Sequence, residues 1–117
     1  MATILVVDDE EPVRELLGLV LRDGGHRTLL AMHGAQALQM IENERPDLVV
    51  SDVMMPVLNG AELCRRLKTS VETRTIPVIL MSAAGPRSAA GAGGDAFLEK
   101  PFQLDDLDAL VRHWLAG

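Results

Sequence analysis

The stretch Leu48-Val49-Val50-Ser51-Asp52-Val53-Met54-Met55-Pro56 constrains this chain most. Leu48, Val49 and Val50 do not alternate with polar residues, which is the pattern of a strand covered on both faces. Asp52 falls where that strand runs out, and Pro56 closes the stretch. In an open parallel sheet, ligands bind just beyond the carboxyl ends of the strands. An acid placed there is a catalytic group, a metal ligand or a loop cap, and the stretch by itself leaves all three open.

The remainder of the chain repeats the same grammar. Thr3-Ile4-Leu5-Val6-Val7 is a β-branched and Leu-rich run that ends in Asp8-Asp9-Glu10-Glu11. Pro12 suits a first helical turn, and acids there complement the helix N-terminus. Val13, Leu16, Leu17, Val20 and Leu21 then recur at helical spacing, and Gly24-Gly25 stops the helix. Arg27 to Ala31 reads as a weaker strand and Gly34 to Asn43 as a helix. After the Asp52 strand, Asn59-Gly60 marks a turn, and a helix follows from Ala61 to about Thr69. Ile76 to Met81 reads as a fourth strand ending at Ser82, with Pro77 tolerable only near its start. Asp95 to Glu99 is a fifth strand ending at Lys100-Pro101. Leu104, Leu107, Leu110, Val111 and Trp114 define a last amphipathic helix with Asp105, Asp106 and Asp108 in its first half.

Strands alternating with helices give an α/β fold: a doubly wound five-stranded parallel sheet with helices on both faces. Residues 1–117 form one domain, with no internal repeat and no linker to divide them. One segment breaks the rhythm. Residues 83–94 should hold a fourth helix, yet contain four Gly, one Pro and no large apolar side chain. Such a stretch buries little surface, so the fourth helix is expected to be short or disordered, with at best one turn around Arg87 to Ala90.

Composition excludes several classes of function. A net charge of −6 argues against this domain gripping nucleic-acid phosphates. No apolar run approaches the roughly 20 residues that span a bilayer, and no signal peptide is visible. Cys64 is the only cysteine, so no internal disulfide can form, and a cytoplasmic location is expected.

The strand ends carry the chemistry: Asp8 and Asp9 on the first, Asp52 on the third, Ser82 on the fourth and Lys100 on the fifth. With these strands side by side, the residues converge on one edge. Three carboxylates in one small site repel each other and call for a cation, and oxygen ligands suit Mg²⁺. A Lys and a hydroxyl facing that cation suit a phosphoryl group, and one carboxylate could act as the nucleophile that becomes an acyl phosphate. Each residue alone has a plainer reading: Asp8-Asp9 as helix-start acids, Ser82 as a turn residue, Lys100 as a solvated charge. Their joint placement at four strand ends favours the functional one.

Val6-Val7-Asp8-Asp9-Glu10, Asp52-Val53-Met54-Met55-Pro56 with Asn59-Gly60, Met81-Ser82-Ala83 and Phe97-Leu98-Glu99-Lys100-Pro101-Phe102 together resemble the receiver domain of two-component response regulators. The likeness covers essentially the whole chain and is closest to single-domain, chemotaxis-regulator-like receivers. It implies strand order 2-1-3-4-5 and a signalling domain, not an enzyme in the ordinary sense. By that resemblance Asp52 is the phosphoacceptor, charged by a histidine kinase or a histidine phosphotransfer protein. Asp9, Asp52 and the backbone carbonyl of Met54 would hold Mg²⁺, with Asp8 acting through water. Lys100 would pair with phosphoryl oxygens. Ser82 and Phe97 would be the switch residues, and the Lys100–Pro101 bond would be cis. The modified domain would change the surface around the fourth and fifth strands, the segment between them and the last helix. That surface would control a downstream protein or an output domain, and a homodimer formed on phosphorylation is one further partner the resemblance allows. Self-catalysed phosphorylation and slow self-catalysed hydrolysis complete the expectation.

Two rival readings remain at this point. A phosphorylation-independent, receiver-like scaffold would share the fold. A phosphohydrolase with an Asp nucleophile would normally carry a second acid two residues on, where this chain has Met54. By the same resemblance, Met54 and Ala84, two residues past Asp52 and Ser82, stand where the family tunes the hydrolytic water; neither side chain can hydrogen-bond a water, so a fairly long-lived phosphoryl state is expected. His26, His33 and His113 lack ligand spacing and read as surface or turn residues. Met32, Met40, Met54, Met55 and Met81, with Cys64, read as packing.

Overall fold

The computed structural model describes residues 2–116. It contains β1 (Thr3–Val7), α1 (Glu11–Asp23), β2 (Arg27–Ala31), α2 (Gly34–Asn43), β3 (Leu48–Asp52), α3 (Gly60–Lys68), β4 (Val78–Ser82), a 3₁₀ turn (Pro86–Ala89), β5 (Ala96–Glu99) and α4 (Leu104–Leu115). The five strands form one sheet in the order β2-β1-β3-β4-β5, every neighbouring pair parallel. This is the doubly wound α/β architecture expected from the apolar runs.

The strand residues divide by parity because successive side chains point to opposite faces. Leu5, Val7, Val49, Val78 and Leu80 pack with Ala37 and Ile41 of α2 and with Leu63, Cys64 and Leu67 of α3. Ile4, Val6, Leu48, Val50, Ile79 and Met81 pack with Leu17 and Leu21 of α1 and with Leu107 and Val111 of α4. Each helix presents one apolar stripe, so the sheet is sealed on both sides. That explains why β1, β3 and β4 show no polar alternation.

Helix starts follow the sequence. The Asn59 side chain accepts from the Glu62 N–H at 2.8 Å, and His33 Nδ1 accepts from the Gln36 N–H at 3.1 Å. His33 is thus a helix cap, which serves backbone donors that would otherwise lack partners. β4 begins two residues later than the apolar run suggested. Pro77 has no N–H to give the ladder, although its carbonyl accepts from the Val49 N–H at 3.0 Å. Two methionines read as packing are instead exposed: Met32 follows β2 and Met54 follows β3 on the open edge. Their apolar character had suggested burial, but they stand on loops beyond the reach of either helical layer.

The segment between β4 and β5 forms only the 3₁₀ turn. Its internal bonds are local, from Ser88 N–H to Gly85 O, Ala90 N–H to Arg87 O and Ala92 N–H to Ala89 O. Gly85, Gly91 and Gly93 have positive φ, a conformation in which a longer helix cannot continue. The end of the segment is latched. Asp95 Oδ2 accepts from Lys68 Nζ at 2.6 Å and from the Val78 N–H at 2.8 Å. Lys68 Nζ also donates to the Ile76 carbonyl at 2.9 Å. Asp95→Ala should therefore lower unfolding free energy by about 1–3 kcal/mol, because a backbone donor and a part-buried ammonium lose their acceptor. Urea unfolding measures this, and an unchanged midpoint would show the latch to be idle.

Candidate functional site

The ladder registers place the site. Val7 pairs with Ser51, Asp52 with Met81 and Ser82 with Glu99. Asp8, Asp52, Ser82 and Lys100 therefore emerge along the carboxyl edge in a shallow stair across four adjacent strands. Further main-chain bonds fix that edge: Val53 N–H to Met81 O at 2.8 Å, Lys100 N–H to Ser82 O at 3.0 Å and Asp8 N–H to Ala31 O at 3.1 Å.

Asp8 and Asp52 are buried, as is Ser82, so the polar ends of the strands are shielded although they face the edge. Carboxylate oxygens of Asp8, Glu10 and Asp52 lie within 4.8 Å of one another. Lys100 Nζ stands 3.3 Å from Asp8 Oδ2 and 3.6 Å from Asp52 Oδ2. The bond between Lys100 and Pro101 is cis. Asp9 is exposed on the outer side of the loop, yet close enough for its charge to be felt at Asp52. Burial pushes the Asp52 carboxyl above the ordinary carboxylate range. The Lys100 ammonium pulls it back down, Asp8 raises it, the Met54 backbone N–H lowers it and Asp9 raises it again.

One ammonium does not balance three carboxylates gathered in so small a space. The donor set is all hard oxygen, two of its members are buried, and a small divalent cation such as Mg²⁺ fits that chemistry. Imidazole and thiolate donors are absent from the group, which disfavours the softer transition metals.

Ser82 Oγ accepts from the Ala84 N–H at 2.9 Å and so currently serves the start of the 3₁₀ segment. Phe97 is half-buried and lines a cavity with Leu80, Pro86, Ala89, Gly94 and Ala96, on the side of the sheet that faces that segment. Trp114 lies near Ala2, His26 and Pro77, at the opposite end of the sheet from Asp52.

Three residues at the edge escaped functional assignment in the sequence. Glu10 contributes a carboxylate to the cluster. Arg14 is buried and donates from Nη1 to the Asp8 carbonyl at 2.8 Å. Gly60 sits so close to β3 that a Cβ there would lie 2.1 Å from the Asp52 carbonyl oxygen. A sequence signal existed for Arg14: it shares one helical stripe with Leu17, Gly18 and Leu21, all buried.

Comparison with known proteins agrees with this fold. A family model described as "Response regulator receiver domain" matches residues 4–112. The response regulator MprA of Mycobacterium sp. (strain KMS) is 45% identical over 111 residues, which is 93% of this chain and 48% of that protein. The chain thus spans about half the length of the curated relatives it matches. Among solved structures, the signal receiver domain of a signal transduction histidine kinase from Syntrophus aciditrophicus superposes with a TM-score of 0.95 at 36% identity, covering 100% of this chain and 92% of that one. The chemotaxis protein CheY4 of Vibrio cholerae gives a TM-score of 0.90 at 28% identity, covering 98% and 99%.

Proposed function

This chain belongs to the response regulator receiver family, and from that premise we propose that it is a signalling switch set by phosphorylation of Asp52. The observation that carries the reading is the placement of Lys100 Nζ 3.3 and 3.6 Å from two buried carboxylates at adjacent strand ends. A carboxylate oxygen of Asp52 attacks the phosphorus of a phosphohistidine on a histidine kinase or phosphotransfer protein. The new O–P bond forms as the P–N bond breaks, and the electron pair leaves with the imidazole nitrogen. Mg²⁺, held by the carboxylates of this edge and the Met54 carbonyl, would neutralise charge on the transferring group. Lys100 supplies a fixed positive charge and a donor to the phosphoryl oxygens. Asp8, and Asp9 from the exposed side of the loop, would complete the cation's surroundings, and the Glu10 carboxylate lies close to those of Asp8 and Asp52.

Switching follows from Ser82. Phosphorylation adds roughly −1.5 to −2 charge units and three acceptor oxygens. Ser82 Oγ can donate its O–H to one of them, but only in an arrangement of the β4 end that suits the new bond. Its present link to the Ala84 N–H passes that change to the short segment beyond. Phe97 borders the same segment, so its cavity is expected to reshape with it. The altered face would be read by a downstream protein, an output domain or a second copy of the chain. No helix among the described residues is long and apolar enough to cross a membrane, and a cytoplasmic setting is part of the proposal.

The test is intact mass after incubation with acetyl phosphate and Mg²⁺. One added phosphoryl group, absent when EDTA is present, supports the switch; no addition under conditions that label another receiver favours a scaffold. Met54→Asn should then shorten the phosphoryl lifetime by about fivefold, since one hydrogen bond to the attacking water is worth about 1 kcal/mol. An unchanged decay rate would mean that the exposed Met54 side chain does not limit hydrolysis.

A further inference from the structure

Arg14 occupies an unfavourable place for a cation. It lies in the first turn of α1, where the helix dipole disfavours positive charge, and it is buried. Among the described residues it takes part in no ion pair within 4.0 Å. What it does make is one 2.8 Å bond, from Nη1 to the main-chain carbonyl of Asp8. Asp8 is thereby held at every polar atom. Its N–H donates to Ala31 O at 3.1 Å, Oδ1 accepts from the Glu10 N–H at 2.9 Å and Oδ2 accepts from Lys100 Nζ at 3.3 Å. The Arg14 N–H in turn donates to the Glu10 carbonyl at 3.0 Å. That last bond is the first main-chain bond of α1; the Arg14 side chain itself ties down Asp8, and Asp8 Oδ1 in turn holds the Glu10 N–H.

We propose that Arg14 is a positioning residue for the divalent-cation site: its grip on the Asp8 carbonyl keeps the Asp8 and Glu10 carboxylates aimed at Asp52. The inference rests on the reading that these acids take Mg²⁺. Partners behind a metal ligand commonly change metal affinity by about 10–100-fold when removed.

The sign of the effect separates positioning from electrostatics. Removing a cation beside an anionic site should tighten Mg²⁺ binding by Coulomb's law. Loss of positioning should loosen it. Mg²⁺ titration by calorimetry on the full chain, without any phosphodonor, is the experiment. Arg14→Met should weaken the Mg²⁺ Kd about tenfold or more, and Arg14→Lys, which keeps one donor, should fall between it and the wild type. Arg22→Met removes a charge from the same helix, where Arg22 Nε donates to the Gly18 carbonyl at 3.3 Å, away from the acids. Its Kd should stay within about twofold of wild type. Native-state hydrogen exchange adds a second readout, with faster exchange expected at the Glu10 amide in both Arg14 variants while the Leu17 and Leu21 amides stay protected. An unchanged or tighter Kd in Arg14→Met overturns the proposal. If that variant does not fold, wild-type affinity together with wild-type Glu10 protection in Arg14→Lys overturns it. A wild type that binds no Mg²⁺ overturns the cation reading itself, an outcome told apart because wild type and variant then fail alike.

Discussion

An Asp52→Asn variant is expected to take up no phosphoryl group from acetyl phosphate and Mg²⁺, and yet to fold more stably than the wild type in EDTA. The first half follows from chemistry: an amide oxygen is a poor nucleophile, and no other carboxylate of the edge is equivalently placed at the end of the central strand β3. The second half follows from the raised carboxyl of Asp52. Its folded-state pKa lies above the unfolded value, so the folded protein holds the proton more tightly than the unfolded chain does. The stabilisation from this group is present below the unfolded pKa and is lost as pH rises through the folded pKa. At pH 7 the ionised group is a liability that the neutral amide removes. Thermal melts in EDTA should therefore show a higher Tm for Asp52→Asn at pH 7, with the gap narrowing as pH falls toward 4. Added Mg²⁺ should reverse the order, because a ligand present at about 100 times its Kd stabilises the native state by about 2.7 kcal/mol and the variant binds it less well. A phosphorylated Asp52→Asn would refute the assignment of the acceptor. A variant no more stable than wild type in EDTA would refute the electrostatic account.

The second large effect belongs to a residue with no side chain. Gly60→Ala is expected to cost roughly 3 kcal/mol or more, and to weaken phosphorylation in whatever fraction remains folded. A Cβ at this position would lie 2.1 Å from the Asp52 carbonyl oxygen and 2.9 Å from Ser51 Oγ. Neither neighbour is the free end of a flexible chain: the carbonyl belongs to β3, and Ser51 Oγ donates to that same carbonyl at 2.9 Å. The Gly60 N–H donates to Val53 O at 2.9 Å, so the start of α3 is docked directly on the end of β3. Extra volume there must separate helix from strand or turn Asp52 away from Lys100. Urea unfolding reads the first cost and intact mass the second. A variant within about 0.5 kcal/mol of wild type would show that the joint yields easily.

Much of this was legible because the signal was redundant. Each of β1, β3, β4 and β5 has an apolar run, a polar terminus and a turn residue that agree, so the alignment of Asp8, Asp52, Ser82 and Lys100 follows from the sheet registers. The bounds of α2 match the Gly34 to Asn43 reading because both its flanks carry non-helical residues. What escaped the sequence depends on distances between elements. Nothing local says that Gly60 touches β3, and the turn reading of Asn59-Gly60 hid a packing constraint. The helical stripe that Arg14 shares with Leu17 and Leu21 points to its burial, but its partner is a main-chain carbonyl, which has no signature in sequence. Met32 and Met54 were misjudged for the converse reason: hydrophobicity reports a tendency to be buried, whereas their exposure is decided by which loops the helices leave uncovered.

The 3₁₀ segment gives the domain an uneven compliance. Asp52 is bounded by β1 on one side and β4 on the other, and by α3 seated on the strand end, all stiffened by ladders and by two packed layers. The stretch from Ala83 to Gly94 is held by its ends, by its own short-range bonds and by two small side chains, buried Ala92 and Ala89 beside it, that reach the core. In a body with three rigid walls and one soft one, the same local force produces most of its displacement in the soft wall. A partner that reads this protein by shape would therefore find the largest change there, and a longer, better packed helix in that place would spread the same work thinly over the whole fold.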